Sequence, residues 1–326
     1  MPPDFLTEIG PLKKRAEDHL ETNLDSSLDL VKEVGRHILP SGGKRLRPIL
    51  FLLSVEMCGG GGEYDRFSSI FEYLHCASLL HDDVIDEAET RRSKEVASRR
   101  WGNPTAILVG DHLFAKALSL AAEAGKPAII SVLSDCIARL AEGQILELLH
   151  QNDLKTPYSI YLEIITAKTA VLLAASTRVG ALITRSGRAG ETEQEEALQG
   201  YGLDLGIAFQ MIDDLLDWAG EEEVVGKPVG RDLREGKATL PWIHALGRAS
   251  GELKKELLDR AGNKDMSSRE WSWLKAEVEE LGGLEACLSL ALEHKERAKG
   301  RLDVFGPSPA KELMLELADY VCRRKV

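Results

Sequence analysis

The sequence is poor in cysteine and in aromatic residues, and both shortages narrow the class of protein. Its five cysteines are odd in number, scattered along the chain, and include no Cys-x-x-Cys pair. We therefore expect neither a disulfide framework nor a structural zinc site, and a reducing cytosol is the natural compartment. Aromatic residues make up 6% of the 326 residues, and the apolar residues are largely Leu and Ala, which favours helices over sheets.

The chain also lacks an excess of positive charge. Lysine and arginine number 41 against 53 aspartates and glutamates, which gives a net charge of −12. A protein whose main partner is nucleic acid needs a broad basic surface to neutralise phosphates, so nucleic acid is not expected here. Small anionic ligands stay compatible with this charge if cations are concentrated locally.

Long apolar runs are the third shortage. The N-terminal sequence MPPDFLTEIGPLKKR has no apolar core of signal-peptide length, and Arg178 breaks the apolar run after Lys168. We therefore expect no integral membrane segment and a cytoplasmic protein.

Helical periodicity is what the sequence has in abundance, and no convincing alternating strand is present. One or two helices are predicted over residues 4–39, one that has Pro48 in its first turn and runs through Met57, and one or two over residues 157–186. The other predicted helices cover residues 67–87, 104–123, 127–150, 191–219 and several shorter stretches after residue 241. Because no linker of low complexity divides the chain, we expect a single-domain, all-α helical bundle over residues 1–326.

An Asp-Asp-x-x-Asp motif ends the predicted helix over residues 67–87. Asp82 and Asp86 are one turn and about 40° apart around a helix axis, so their carboxylates face the same way. They would repel each other unless a cation lay between them, and hard oxygen ligands without a nearby Cys suit Mg²⁺. A solvated acidic face is the simpler alternative. However, the acids follow Leu79-Leu80 and enclose Val84-Ile85, which places them at the end of a buried stripe.

A second copy of the motif strengthens the metal hypothesis. Asp213, Asp214 and Asp217 repeat the spacing of Asp82, Asp83 and Asp86 in a similarly apolar setting. Two such helices would, if they faced each other, form a cage for several divalent ions. That arrangement suits a polyphosphate, because Mg²⁺ usually binds through one or two carboxylates plus phosphate oxygens.

Cations lie near each acid motif. They are Lys44, Arg45 and Arg47 in GGKRLRP, Arg91 and Arg92 after the first motif, and Lys227, Arg231, Arg234 and Lys237 after the second. Each group alone is equally consistent with solvated surface charge or ordinary salt bridges. Together with the acids they indicate a site for a metal-bridged diphosphate.

Several polar residues interrupt otherwise apolar helices. Lys168 and Thr169 lie within an apolar stretch, Gln144 and Gln210 are isolated amides, and His75 lies seven residues before Asp82. The ordinary interpretations are a lysine that extends to the surface, amides with structural hydrogen bonds, and a core histidine. The alternatives are a catalytic role for the amides and ligand contact for the histidine.

In this order, the motifs GGKRLRP, LLHDDVIDEAETRR, AEGQ, KT, FQMIDDLLD and GKPVGRDLREGKATLP resemble those of the trans-isoprenyl diphosphate synthases, the polyprenyl synthetases. The resemblance extends from about residue 28 to the C-terminal helix. It implies an all-α bundle of the isoprenoid synthase type around a deep central cavity, usually as a homodimer. It also implies Mg²⁺-dependent condensation of isopentenyl diphosphate with an allylic diphosphate. About three Mg²⁺ ions would be bound with substrate, and Mn²⁺ is an alternative.

The resemblance also assigns roles to individual residues. It implies metal binding by Asp82, Asp86 and Asp213, supported by Asp83, Asp214 and Asp217. It implies contacts with the diphosphate of isopentenyl diphosphate by Lys44, Arg47, His75 and Arg92. It implies contacts with the allylic diphosphate by Arg91, Lys168, Lys227 and Lys237. Thr169 and Gln210 resemble the polar groups near the developing carbocation.

Product length is expected to depend on the residues that precede Asp82. Ser78 lies about 6 Å deeper on nearly the same helix face, next to Ala77, with Leu74 further down. Members of the family with short products resemble one another in having bulky aromatics here, so small residues imply an open cavity floor. We expect a product of about six to nine isoprene units (about C30–C45), with motifs closest to octaprenyl-type synthases and transient membrane contact on release. Alternatively, the small residues only allow close helix packing.

Four rival functions stay open. The first is a short-chain farnesyl or geranylgeranyl diphosphate synthase. The second is a class I terpene cyclase, which binds one diphosphate and has less need of Lys44, Arg47 and Arg92. The third is a His-Asp phosphohydrolase suggested by His81-Asp82, although its other histidine ligands are missing. The fourth is a subunit of a heterodimeric synthase without activity alone. Such subunits tend to lose their acid motifs, and both are intact here.

Overall fold

The all-α prediction is confirmed. A computed structural model of the chain describes residues 3–39, 44–91, 94–219, 230–263 and 266–323. In those ranges nearly every residue with regular structure is helical, and the strands are limited to a two-residue antiparallel pair, β1 (Thr90–Arg91) and β2 (Lys94–Glu95).

Eighteen α-helices are described in these ranges. The first nine are α1 (Pro3–Glu8), α2 (Gly10–Asp18), α3 (Leu20–Asn23), α4 (Asp29–Ile38), α5 (Leu46–Met57), α6 (Ser69–Ile85), α7 (Ala97–Trp101), α8 (Asn103–Glu123) and α9 (Pro127–His150). The others are α10 (Tyr158–Ile165), α11 (Val171–Thr184), α12 (Glu191–Ala219), α13 (Arg231–Arg234), α14 (Leu240–Arg248), α15 (Gly251–Ala261), α16 (Ser268–Glu280), α17 (Gly283–Arg301) and α18 (Pro309–Cys322). Gly62–Ser68 and Leu302–Val304 are 3₁₀-helices, and Thr166–Ala170 is a π-helix.

The predicted helix boundaries agree with the structure in some places and fail in others. The stretches 127–150 and 191–219 correspond to α9 and α12 at both ends. The expectation of one or two helices over 4–39 was wrong, because short helices alternate with breaks there and the backbone is extended at Leu28 before α4 begins. The β1–β2 pair was also missed, since two residues are too few to show an alternating pattern.

Contacts between Cα atoms divide the chain into two compact units, and the first carries the first acid motif. It contains Met1–Ala138, Leu172–Gly202 and Val304–Met314. Its core includes α5, in which every side chain from Ile49 to Leu53 is fully buried. Helix α11 packs directly on α5, because a Cβ atom at Gly180 would lie 2.6 Å from Cβ of Ser54. These contacts fix the core of this unit.

The second unit carries the second acid motif. It contains Arg139–Val171, Leu203–Asp303 and Leu315–Val326. Met211, Ile212 and Leu215 of α12 are buried in a cluster that also includes Tyr161 and Cys287. This packing fixes the rotation of α12 about its axis and leaves Asp213, on the same helix, partly accessible.

Two helical segments are long and apolar enough to cross a membrane by length and composition, namely Asn103–Glu123 and Tyr158–Thr184. The sequence argument that Arg178 ends the second apolar run too early was therefore incomplete. It counted only from Lys168, whereas the continuous helical segment begins at Tyr158. The most apolar window of this segment is 56% buried inside the protein, as in a core helix of a soluble protein.

Candidate active site

The first acid motif occupies the C-terminal end of α6. Asp82 is partly accessible, Asp83 is buried, and Asp86 is exposed as the residue that caps the helix. The amide of Asp86 donates to the carbonyl of Asp82 at 2.8 Å, which keeps the two residues one helical turn apart. The predicted spacing of the two accessible carboxylates is therefore present in the structure.

The buried member of this motif is held by a predicted ligand-binding arginine. Arg91 Nε donates to Asp83 Oδ1 at 2.8 Å from strand β1, and the Arg91 side chain is 40% exposed. Arg92, the other arginine predicted here, lies outside the described residues. The structure thus connects the β1–β2 pair to α6 through a charged hydrogen bond.

The GGKRLRP motif divides into a structural arginine and two candidate ligand residues. Arg45 has a left-handed backbone (φ 51°) and a buried guanidinium that binds Glu72 and donates to Glu17 at 3.1 Å. Burial opposes its charge, but the two glutamates outweigh this effect and raise its pKa. Lys44 is exposed and Arg47 partly accessible at the start of α5, while the two glycines of the motif lie outside the described residues.

From His75 to Asp82, the face of α6 that carries Asp82 is partly accessible. His75 and Ser78 are both partly accessible, and the Ser78 hydroxyl donates to the His75 carbonyl at 2.9 Å. Leu74 and Ala77 are fully buried instead. Of the residues predicted to control product length, Ser78 therefore shares the accessible face with Asp82, whereas Ala77 and Leu74 pack into protein.

His81 packs against α8. Its Nε2 lies 3.1 Å from the carbonyl oxygen of Ile107 and 3.5 Å from a carboxylate oxygen of Asp111. Its ring also lies against Gly110, where a Cβ atom would come within 2.3 Å of Nε2. These contacts give His81 a structural role in joining α6 to α8.

The second acid motif lies within α12. Asp213 is partly accessible, whereas Asp214 is buried with both carboxylate oxygens engaged. Tyr161 donates to Asp214 Oδ2 at 2.6 Å, and Gln210 Nε2 donates to Asp214 Oδ1 at 2.9 Å. Both oxygens of Asp214 therefore accept hydrogen bonds from protein groups, and Asp213 is the more accessible member of the pair.

Asp217 organises the segment that follows α12. Its carboxylate accepts hydrogen bonds from the backbone amides of Arg231 at 3.2 Å and Asp232 at 3.1 Å. Lys237 follows the helix that these amides begin, and its Nζ lies 3.1 Å from Glu235 Oε2. Lys227 lies outside the described residues. The third acid of the motif therefore fixes the start of the segment that carries Lys237.

Lys168 and Thr169 belong to the π-helical turn, which the sequence did not predict. The Thr169 hydroxyl donates to Gln210 Oε1 at 2.8 Å, and Lys168 forms an ion pair with Glu147 of α9. Such turns are rare and often occur at functional sites. The structure thus brings Lys168, Thr169 and Gln210 together in the second unit, as the resemblance implied for residues near one substrate.

Two glycines accommodate the wide π-turn. A Cβ atom at Gly143 would lie 2.6 Å from Cβ of Ala167, and one at Gly206 would lie 2.5 Å from Cα of Ala170. Both neighbouring helices, α9 and α12, can approach the turn this closely only because these positions carry no side chain. The turn is therefore held between two helices.

Burial and mutual repulsion perturb the carboxylates around the second motif. Burial raises the pKa of Asp214 to about 7, against hydrogen bonds from Tyr161 and Gln210 that lower it, and the charges of Asp213 and Asp217 raise it further. Burial also raises the pKa of Asp217. Burial and the charges of Asp217 and Asp214 raise the pKa of Asp232 well above its usual range. A divalent cation would offset this concentration of negative charge, so the donor set fits Mg²⁺.

No three Asp, Glu, His or Cys side chains converge as a ready metal site in the part of the chain that the structure describes. Mg²⁺ commonly takes one or two carboxylates and completes its shell with water and phosphate oxygens. The accessible acids Asp82, Asp86 and Asp213 suit that kind of binding.

Sequence reasoning missed two residues of this site. Tyr161 was hidden because its partner Asp214 is 53 positions away along the chain. Glu147 was hidden for a similar reason, although an acid three residues after Gln144 in an apolar helix is a signal that could have drawn attention to it. The Gln144 amide nitrogen lies 3.5 Å from Glu147 Oε2.

Comparison with known proteins agrees with these features. The sequence matches the polyprenyl synthetase family over residues 28–278. An octaprenyl diphosphate synthase from Haemophilus influenzae is 34% identical over 313 residues, which cover 94% of this chain and 92% of that protein. A short chain isoprenyl diphosphate synthase from Methanothermobacter thermautotrophicus is 37% identical and covers 96% of this chain and 98% of its own length.

A solved structure extends the agreement to the fold. The polyprenyl synthase of Caulobacter crescentus, complexed with calcium and isoprenyl diphosphate, superposes with a TM-score of 0.89 at 34% identity, over 99% of this chain and 97% of that one. The resemblance inferred from the motifs is thereby confirmed. By sequence and by fold, the chain belongs to the polyprenyl synthetase family, a family of prenyltransferases.

Proposed function

We propose that this chain makes an all-trans polyprenyl diphosphate of medium to long chain by head-to-tail condensation of isopentenyl diphosphate with an allylic diphosphate. The observation that carries the proposal is the pair of acid motifs, each with accessible carboxylates backed by a buried, hydrogen-bonded aspartate. The reaction needs both motifs in one active protein, so we propose that residues 1–326 act as a single polyprenyl synthetase domain.

Each step of the reaction has candidate residues in the chain. The allylic carbon–oxygen bond breaks, its electron pair leaves with the diphosphate, and an allylic carbocation forms. Asp82, Asp86 and Asp213 would hold Mg²⁺, which stabilises the departing charge when bound. The cations proposed to hold this diphosphate are Arg91, Lys168, Lys227 and Lys237.

The second substrate supplies the nucleophile. The cations Lys44, Arg47 and Arg92, with His75, would hold the diphosphate of isopentenyl diphosphate so that its alkene attacks the carbocation. A new carbon–carbon bond forms and a proton leaves, for which the released diphosphate is the proposed acceptor. Thr169 and Gln210 present oxygen atoms near the cation, and apolar surroundings would keep out the water that would otherwise quench it.

Ser78 supports a medium or long product. Its side chain is small, partly accessible and on the same face of α6 as Asp82, so the growing chain would meet no bulky residue there. Farnesyl or geranylgeranyl diphosphate is the alternative product, and the 37% identical short chain relative keeps that alternative open.

We further propose a homodimer in the cytoplasm, free of integral membrane segments. Within the first unit, Ile107 and Leu108 of α8 are 40% and 66% exposed. Within the second unit, Ile145 and Leu149 of α9 are 57% and 75% exposed. Exposed apolar side chains of this kind commonly mark protein interfaces, and light scattering of the purified chain would measure its oligomeric state.

The decisive experiment is incubation of the purified chain with Mg²⁺, labelled isopentenyl diphosphate and farnesyl diphosphate, followed by chain-length analysis. A ladder that ends at a long polyprenyl diphosphate, and that a chelator abolishes and Mg²⁺ or Mn²⁺ restores, is the expected result. A product of four units would keep the chemistry and favour the short-chain alternative. No incorporation at all would favour a subunit that needs a partner.

A further inference from the structure

Helix α10 carries two tyrosines with different surroundings. The Tyr158 and Tyr161 ring centroids are 6.2 Å apart. Tyr161 is 3% exposed, and its hydroxyl donates to Asp214 Oδ2 at 2.6 Å. Tyr158 is partly accessible, and its hydroxyl has no hydrogen-bond partner among the described residues. The pair therefore offers one tyrosine hydroxyl with a specific partner and a neighbouring one without.

The Tyr161 hydrogen bond is the first of three in a line. Asp214 Oδ1 accepts from Gln210 Nε2 at 2.9 Å, and Gln210 Oε1 accepts from the Thr169 hydroxyl at 2.8 Å. The line joins α10, α12 and the π-turn. The carboxylate of Asp214 fixes the orientation of the Gln210 amide, because a carboxylate accepts only from the NH₂ end.

Two members of this line of hydrogen bonds belong to the proposed reaction centre, Gln210 in its middle and Thr169 at its end. Gln210 and Thr169 are the groups proposed to lie near the carbocation, and Asp213, next to Asp214, is a proposed metal ligand. Asp214 itself has both oxygens engaged, so its contribution is to hold its neighbours. Outer partners of this kind commonly set the orientation of the groups that touch metal or substrate.

We propose that Tyr161 is a positioning residue for this site. Its hydroxyl fixes Asp214, and through Asp214 it holds Gln210 and Thr169 in the orientation that they present to the allylic carbon and keeps Asp213 directed at the metal. This role rests on the proposed function. It is distinct from the packing of the Tyr161 ring in the core, which phenylalanine would preserve.

The test compares Tyr161→Phe with the matched control Tyr158→Phe. For Tyr161→Phe we expect kcat to fall roughly 10- to 100-fold, with the KM for isopentenyl diphosphate unchanged. The Mg²⁺ concentration for half-maximal activity should rise, and more allylic diphosphate should be lost to water as the free alcohol for each condensation. Tyr158→Phe should match wild type in all four measurements.

A second readout does not depend on turnover. Calorimetric titration of the full chain with Mg²⁺ and inorganic diphosphate should show weaker binding for Tyr161→Phe than for Tyr158→Phe. Should wild type fail to elongate, the proposed function fails, and this titration still decides the positioning role. Equal binding and equal kcat for the two variants, with only a lower melting temperature for Tyr161→Phe, would overturn the proposal.

A double-mutant cycle tests separately whether Tyr161 acts through this line of hydrogen bonds. Thr169→Val removes the hydroxyl at the other end of the line, and Thr169→Ser keeps it. If Tyr161 acts through the line, Tyr161→Phe should lower kcat less in the Thr169→Val background than in wild type. Purely additive effects would show that Tyr161 does not act through Thr169 and would overturn the proposal.

Discussion

The two acid motifs have the same spacing, yet their buried carboxylates are held by different kinds of group. In the first motif, Asp83 accepts a hydrogen bond from the half-exposed, charged side chain of Arg91. In the second, Asp214 accepts from Tyr161, which is buried, and from Gln210 of its own helix. One support depends on a half-exposed cation, and the other on two neutral groups, of which Tyr161 is buried.

The last acid of each motif differs as well. Asp86 caps α6 and is exposed, whereas Asp217 lies inside α12 and accepts two backbone hydrogen bonds from the start of α13. The second motif is thus tied to the segment that carries Lys237. Identical spacing therefore places the carboxylates alike on each helix. The surrounding residues determine which other segments each motif is bound to.

The largest expected effect comes from removing one accessible carboxylate in each motif. Asp82→Asn and Asp213→Asn should each lower kcat/KM by on the order of 10³-fold, because each loses negative charge that would bind a catalytic cation. Steady-state kinetics at saturating Mg²⁺ would measure this, with the exposed Asp303→Asn as the control. If either variant kept more than about a tenth of wild-type activity, the two motifs would not share the chemistry.

The contrast also shows how far sequence reasoning reaches. The acids were predictable because a period of four within an apolar stretch already places them on one helix face. The bounds of α9 and α12 were predictable for the same reason of regular periodicity. The π-turn, Tyr161 and Glu147 were not, because each depends on partners that are distant in sequence, such as Gly206 against Ala170 and Tyr161 against Asp214.

The second prediction concerns the close helix contacts beside each motif. We expect Gly→Ala substitutions there to have a smaller effect. A Cβ at Gly206 would meet the Ala170 backbone at 2.5 Å, which cannot rotate away, whereas a Cβ at Gly110 would meet the His81 ring, which can. We expect Gly206→Ala to lower the free energy of unfolding by about 2 kcal/mol and to lower kcat, since the π-turn must shift. Gly110→Ala should cost less than about 1 kcal/mol.

Urea unfolding and kcat of the two variants would check this. Gly247→Ala, in α14 with open space around the added Cβ, reports the gain in helix propensity alone. Equal losses for Gly206→Ala and Gly110→Ala would remove the distinction between the two regions.

The third prediction changes the product and leaves the chemistry intact. Ala77-Ser78 and Ala208-Phe209 occupy the same positions before the two motifs, so the second helix already carries an aromatic where the first has serine. Ser78→Phe should shorten the main product, whereas Ala77→Phe should mainly lower stability, because Ala77 is fully buried and packs into protein. Phe209→Ser should leave product length unchanged, because only the α6 face is proposed to set it.

Chain-length analysis of products from the three variants would check this prediction. A full-length product from Ser78→Phe would defeat the open-floor hypothesis. A change in length with Phe209→Ser would instead assign part of that floor to α12.

The smallest effect is expected from removing the side chain that holds the buried aspartate of each motif. The loss should depend on salt for the first motif. Arg91→Gln removes a partly exposed ion pair and should lower the free energy of unfolding by about 0.5–1 kcal/mol at low ionic strength. Because salt screens exposed charges, this loss should shrink between about 0.05 and 0.5 M NaCl. Tyr161→Phe leaves a buried acceptor with one donor fewer, so its loss of about 1–3 kcal/mol should stay nearly constant over that range.

Urea unfolding at both salt concentrations measures the two losses. A loss for Arg91→Gln that did not depend on salt would mean that salt does not weaken the contact between Asp83 and Arg91, as expected for a contact in the protein interior. The two motifs would then be supported in the same way.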